Sequence, residues 1–148
     1  TTKEVRVVLT KSMPEALAAL VVYDPEASAD ENLAEMAEAT EAMVTGEVTQ
    51  SIRDTNSDAG PITVGDWIGL VRGDGIVTVN GTLEGASISL LEHLITNERE
   101  IVTIIEGVDA PASTTEALRT WIETERPDVQ IECHKGGQPL YPYLFGVE

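Results

Sequence analysis

The run Ile101–Ile105 (IVTII) constrains this chain more than any other stretch. It is β-branched and almost continuously apolar, without the alternation of a strand that shows one face to water. Such a run suits a strand covered on both faces. An apolar-rich helical segment, Leu83–Ile95, precedes it. A second helical segment follows, with Leu118, Trp121 and Ile122 on its buried face, after which Val129, Ile131 and Cys133 alternate as another strand. Strand, helix and strand joined by loops this short imply parallel pairing through a right-handed crossover.

The remaining elements are read around that unit. Val5–Leu9 (VRVVL) is short and β-branched and reads as a strand. Thr10 to Pro14 form a polar turn, and Glu15–Val22 an apolar, buried helix that Asp24-Pro25 ends. Ser28 and Glu31 have the spacing of a capping box. In the helix they open, Leu33, Met36, Ala37, Thr40 and Val44 recur at helical spacing, and Glu31, Glu35, Glu38 and Glu41 make a solvated face. Gly46 is read as its stop. Glu47–Arg53 alternates like a half-buried strand, and Asp54–Pro61 is a polar loop. Trp67–Val71 and Ile76–Val79 flank Asp74-Gly75, a hairpin signal. Ser113 and Glu116 suggest a second capping box, and Leu140–Val147 a last, aromatic-rich strand. With 148 residues and no repeats, low-complexity segments or long linkers, the expectation is a single α/β domain over residues 1–148. Its sheet is mixed, partly parallel and flanked by helices. Thr1 in place of Met, followed almost at once by a strand-like run, suggests a domain cut from a longer protein; a processed N-terminus would look the same.

Composition removes several function classes. Apolar residues make up 42% of the chain, an ordinary globular share, and no apolar run approaches the ~20 residues of a membrane span. The net charge of −17 repels phosphate backbones and anionic membranes. Nucleic acid is therefore a poor partner and a basic protein a better one, although solubility or adaptation to salt would account for the charge equally well. The single cysteine, Cys133, excludes an internal disulfide and a zinc cluster of cysteines, and it fits a reducing, cytoplasmic setting.

Ligands of open α/β sheets bind beyond the carboxyl ends of the strands. Two loops leave strands there: Glu106-Gly107-Val108-Asp109 after IVTII, and His134-Lys135-Gly136-Gly137-Gln138 after VQIEC. If the two strands are neighbours, Asp109, His134 and Gln138 face a common crevice. Each candidate has a plainer reading. His134 suits a surface histidine at a strand end, and Asp109 a cap. Gly136 and Gly137 permit a positive-φ turn, or alternatively bring N–H groups to an anion or a partner carbonyl. Tyr141 and Tyr143 alternate around Pro142 and are expected half-buried, their phenols able to reach a partner. The chain has no G-x-x-x-x-G-K-[ST], H-E-x-x-H or G-x-S-x-G motif. Gly73 and Gly75 sit in the hairpin without the rest of a dinucleotide fingerprint, and His93 lies far in sequence from His134.

The terminal stretch HKGGQPLYPYLFGVE resembles the terminal signature of the large subunit of bacterial fatty acid kinase, a protein related to dihydroxyacetone kinase. LTKSMPEALAAL, GEVTQSIRDT, VGDWIGLVRGDGIV, EIVTIIEGVDA and RPDVQIECHKGGQPLYPY resemble other parts of its terminal domain in the expected order, so the likeness covers essentially the whole chain. Ala16 stands where that family often has Gly, a change that helix propensity favours. The resemblance implies a DegV-like α/β fold and a non-catalytic terminal domain that helps dock a DegV-like fatty-acid carrier. It implies ATP and magnesium for an N-terminal domain that has no counterpart in these residues, and no cofactor here. On this reading Asp109, His134, Gly136, Gly137, Gln138 and Tyr141 are candidates for partner binding. Two other classes stay open: an independent small-molecule kinase or phosphatase with a site near His134, and direct fatty-acid binding. A homodimer also stays open.

Overall fold

Serine hydroxyls open the first two helices of the computed structural model, which describes residues 2–148. Ser12 caps α1 (Met13–Val21), its Oγ accepting the Glu15 N–H at 3.3 Å while Glu15 Oε2 accepts the Lys11 N–H at 2.6 Å. Ser28 caps α2 (Ala29–Ala42) through the full capping box with Glu31 that the sequence indicates. Such a cap contributes about 1 kcal/mol. Asn32, buried on α2, fastens the connection: its Oδ1 accepts the Asp24 N–H (2.8 Å), and its Nδ2 donates to the Asp24 carbonyl (2.7 Å). The α2 glutamates are exposed, as a solvated face requires.

Three expectations for this part are corrected. Val5–Leu9 forms no strand, because no described residue offers it a ladder partner. Helix α1 is apolar without being buried: Pro14, Glu15, Ala18 and Ala19 are covered, whereas Leu17, Leu20 and Val21 face outward with Val22 and Tyr23. Gly46 does not end α2, which stops at Ala42; it lies inside the next strand.

The chain divides into two compact units, the first ending at Met43 and the second comprising Val44–Glu148. The second unit holds a six-stranded sheet of β1 (Val44–Gln50), β4 (Trp67–Val71), β5 (Gly75–Asn80), β6 (Ile101–Glu106), β7 (Gln130–Lys135) and β8 (Tyr143–Val147). The order is β5-β4-β1-β8-β6-β7; β6 and β7 are parallel and every other pair is antiparallel. The fold class expected from the sequence, α/β with a mixed and partly parallel sheet, is therefore the one observed. The loop Asp54–Pro61 is more ordered than its polarity suggests. It contains most of a small hairpin, β2 (Thr55–Ser57) with β3 (Gly60–Ile62), anchored by the buried Ile62.

Register explains the core. Val48, Val71, Phe145, Tyr143, Val147, Val102 and Ile104 fall on one sheet face. There they meet Ala86, Leu90, Leu91 and Leu94 of α3 (Leu83–Leu94) and Leu118 and Ile122 of α4 (Ala112–Glu125). Full burial of each large side chain contributes about 1.5–3 kcal/mol. Tyr143 and Phe145 stack with ring centroids 5.8 Å apart. Helix α3 comes close because Gly46 and Gly69 present no side chain: a Cβ at Gly46 would stand 2.7 Å from Leu94 Cδ1, and one at Gly69 3.2 Å from Leu90 Cβ. Ile104 and Ile105 point to opposite faces and both are buried, which is why IVTII lacks alternation. The capping box expected at Ser113 is absent. Helix α4 starts two residues earlier than that cap would place it, at Ala112, with Pro111 in the cap position and no side-chain cap.

Candidate functional site

The parallel pairing of β6 and β7 sets Ile105 beside His134 and Glu106 beside Lys135, so the two strands end together. Their loops then cross. The N–H groups of Gly136 and Gly137 both donate to the Glu106 carbonyl, at 2.9 and 3.0 Å. Val108 N–H donates to the Gln138 carbonyl (3.0 Å), and Gly107 N–H to the Pro142 carbonyl (2.8 Å). The Gln138 side chain turns inward and its Nε2 donates to the carbonyls of Ile105 (3.2 Å) and Tyr141 (3.1 Å).

This clasp needs the Gly-Gly pair for two separate reasons. Gly137 takes φ = +68°, a region that penalises a Cβ. Gly136 has no such φ, but a Cβ there would run into Gln138 Oε1 and stand 2.5 Å from Ile105 Cγ2. The turn reading of this pair therefore accounts for its geometry, and both amides are already spent on a carbonyl rather than aimed at an anion. With Nε2 engaged twice, the orientation of the Gln138 amide is fixed, and its buried Oε1 has no hydrogen-bond partner among the described residues.

A largely buried polar cluster supports the first loop. Thr115 on α4 donates its hydroxyl to Glu106 Oε1 (2.7 Å). The Tyr143 hydroxyl lies 2.8 Å from Thr115 Oγ1, a hydrogen bond in which either hydroxyl can be the donor, and it also donates to the Pro111 carbonyl at 3.3 Å. Burial pushes the Tyr143 phenol above its ordinary pKa; the Thr115 hydrogen bond works against the shift and the Glu106 charge adds to it. Glu106, Thr115 and Tyr143 thus join β6, α4 and β8 where the loops emerge. Nearby, Arg119 Nη1 donates to Cys133 Sγ at 3.3 Å, and the thiol is free of any disulfide.

The six sequence-derived candidates divide accordingly. Gly136, Gly137 and Gln138 build the clasp. Asp109 and His134 are exposed on its outer side, and His134 Nε2 stands 3.9 Å from Glu132 Oε2 on the same strand. Tyr141 is half-buried and its backbone carbonyl receives Gln138. The side chain of Gln138 is thus engaged with backbone rather than shared with Asp109 and His134.

Two residues that the sequence reading passed over complete the outer surface. Val108 is 67% exposed and Leu140 75% exposed, one on each crossing loop. Leu140 holds φ = +68°, a conformation costing a non-glycine residue roughly 1–2 kcal/mol, and its carbonyl accepts Thr49 Oγ1 at 2.8 Å. A strained, exposed leucine on a braced loop matches the pattern of backbone strain kept at functional positions. Nothing local in Gln-Pro-Leu-Tyr-Pro announces a left-handed leucine. Val108 had a weak signal, as an apolar residue in a polar loop.

No helix among the described residues is long and apolar enough to cross a membrane, and no group of three or more His, Cys, Asp or Glu there is arranged to hold a metal ion.

Comparison with known proteins supplies the family. Residues 1–148 match the FakA-like C-terminal family, named for the C-terminal part of a fatty acid kinase subunit. An uncharacterized protein of Staphylococcus epidermidis is 41% identical over 145 residues, covering 98% of this chain and 26% of its own length. One from Staphylococcus haemolyticus is 42% identical over 142 residues, with 96% and 26% covered, and one from a bovine strain of Staphylococcus aureus is 38% identical over 145 residues. The chain spans 26% of the length of these relatives. With the family matched from the first residue to the last, the chain belongs to the FakA-like C-terminal family of fatty acid kinase.

Proposed function

We propose that this chain is a non-catalytic docking domain of a dihydroxyacetone-kinase-like fatty acid kinase subunit. It receives a DegV-like fatty-acid carrier on the crossed loops after β6 and β7. An N-terminal domain of the full-length protein, holding ATP and magnesium, then phosphorylates the presented acyl carboxylate. In that transfer a carboxylate oxygen forms a bond to the γ-phosphorus, the bond to the bridging oxygen breaks, and ADP leaves an acyl phosphate.

The observation that carries this reading is the family match over residues 1–148. The loops add physical support. A partner surface works best when an apolar centre sits on a rigid base, since little ordering entropy is then lost on binding. Val108 and Leu140 are exposed apolar residues on these two loops, and the clasp with its Glu106–Thr115–Tyr143 cluster forms the base. Asp109, His134 and Lys135 are exposed on the same loops and strand end, and the net charge of −17 would steer a basic carrier toward the domain. The one Gly-Gly loop gives both amides to the Glu106 carbonyl, which supports reading it as a turn rather than a phosphate cradle.

The test is to mix the folded chain with the carrier at low salt and follow complex formation by isothermal titration calorimetry. Saturable binding that weakens with salt supports the reading. Absence of binding, beside a complex with the full-length kinase protein, removes it.

A further inference from the structure

An unpaired segment in the first unit calls for an occupant. Val5, Val7 and Leu9 are 68%, 71% and 80% exposed, on alternate residues of one short run. Their alternates turn the other way: Arg6 and Val8 line a groove of about 470 Å³ with Leu20, Tyr23, Leu33 and Met36. Arg6 Nε also donates to Asp30 Oδ1 at 2.6 Å. The Arg6 pair ties the segment to α2, and the alternation of its facing residues has the period of an extended chain. Its backbone is unsatisfied. Between Val5 and Leu9, among the described residues, the sole backbone group with a partner is the Val5 carbonyl, which accepts Arg6 Nη1 at 3.1 Å. β-Branched side chains on an alternating pattern, over about the five to six residues of a typical strand, with free N–H and C=O groups, describe one half of a β-ladder. The chemistry that satisfies such an edge is another extended strand, with apolar side chains at alternate positions to cover Val5, Val7 and Leu9.

We propose that Val5–Leu9 pairs with a β-strand contributed in cis by the remainder of a longer polypeptide. A second copy fits worse. Antiparallel self-pairing centred on Val7 would set Val5 across from Leu9 but Lys3 across from Lys11, joining two chains that each carry a charge of −17. A strand in cis needs no such approach and acts at high effective concentration. The Staphylococcus relatives supply the room: the homologous stretch is 26% of their length, so most of each polypeptide lies outside it. This pairing is independent of the docking surface on the β6 and β7 loops.

Hydrogen exchange read by mass spectrometry tests it, on the 148-residue chain and on the full reading frame that contains these residues. In the shorter chain, amides 5–9 exchange at the rate of an open peptide. In the longer polypeptide, alternate amides of this run slow by roughly 100-fold or more. Val7→Asp abolishes that slowing while leaving the melting temperature of the shorter chain unchanged, since its side chain faces solvent there, and Val7→Thr preserves it. Equally fast exchange in both forms overturns the proposal. So does protection that rises with concentration of the shorter chain, which assigns the edge to a second copy, or protection that needs a separate protein. A reading frame that adds no further strand also ends it.

Discussion

Gly136→Ala is the substitution for which the structure makes the sharpest claim. The new methyl would occupy space held by Gln138 Oε1 and come within 2.5 Å of Ile105 Cγ2. Ile105 sits on β6 between β8 and β7 and is 1% exposed, so it has little room to retreat. The amide of Gln138 has to yield, and its two hydrogen bonds to the carbonyls of Ile105 and Tyr141 are lost with it. At about 1 kcal/mol for each net hydrogen bond, and about 1–3 kcal/mol for forcing a methyl group into occupied space, the substitution costs about 3–5 kcal/mol. Gly137→Ala is the internal control. Nothing lies within 4 Å of its Cβ position, and the cost is the φ = +68° strain alone, about 1–2 kcal/mol. Urea unfolding of both variants and of Gln138→Ala gives the comparison. In the Gln138→Ala background the main obstacle is gone, so Gly136→Ala should cost about 1–2 kcal/mol less than in the wild type. If Gly136→Ala is no worse than Gly137→Ala, or if its cost adds to that of Gln138→Ala, the clasp is not built as described.

Two further outcomes follow from the same geometry. Tyr143→Phe leaves Thr115 Oγ1 without its buried partner and should cost about 1–2 kcal/mol in urea unfolding, with the fold retained; an unchanged midpoint would show that the cluster is not closed as described. In the first unit, hydrogen bonding to Ser28 holds the Glu31 carboxyl below its usual pKa, and the bond to Arg6 does the same for Asp30. Groups with lowered folded-state pKa values stabilise above their ordinary carboxylate range, and that stability is lost as pH falls through the folded values. Acidification also relieves the repulsion of a chain with net charge −17, so the overall melting curve mixes two opposite trends. The difference isolates the pair: Asp30→Asn should destabilise the chain near neutral pH and cease to do so once pH has fallen below the lowered folded-state pKa of Asp30. An Asp30→Asn effect that is the same at both pH values would contradict this assignment.

The parts of the fold legible in the sequence are those set by local chemistry. Ser28 with Glu31, Asp74-Gly75 between two apolar runs, and the unbroken IVTII each carry their structural cause within a few residues. The misread parts depend on distant neighbours. Gly46 looks like a helix stop but exists for the sake of Leu90 and Leu94, more than forty residues downstream. Val5–Leu9 has the composition of a strand, yet a ladder needs a partner. The apolar content of α1 suggested burial that the neighbouring elements do not supply. At the loops the same division holds. The sequence pointed to the ends of β6 and β7 because strand ends in α/β sheets expose function. It did not distinguish residues that build the loops, such as Gln138, from those displayed by them, such as Val108 and Leu140, because that choice rests on side-chain direction and on the positive φ of Leu140.

The central claim, that the crossed loops are a docking surface, is most directly tested by calorimetric titration of the DegV-like carrier into the wild-type chain and into Val108→Asp and Leu140→Asp variants. Both side chains are exposed, so the variants should keep the melting temperature of the wild type to within a few degrees. The account predicts saturable binding by the wild type and a loss of about 10-fold or more in affinity for each variant, as expected for apolar residues central to an interface. Folded wild-type chain that does not bind the carrier, or binding indifferent to both substitutions, would contradict it.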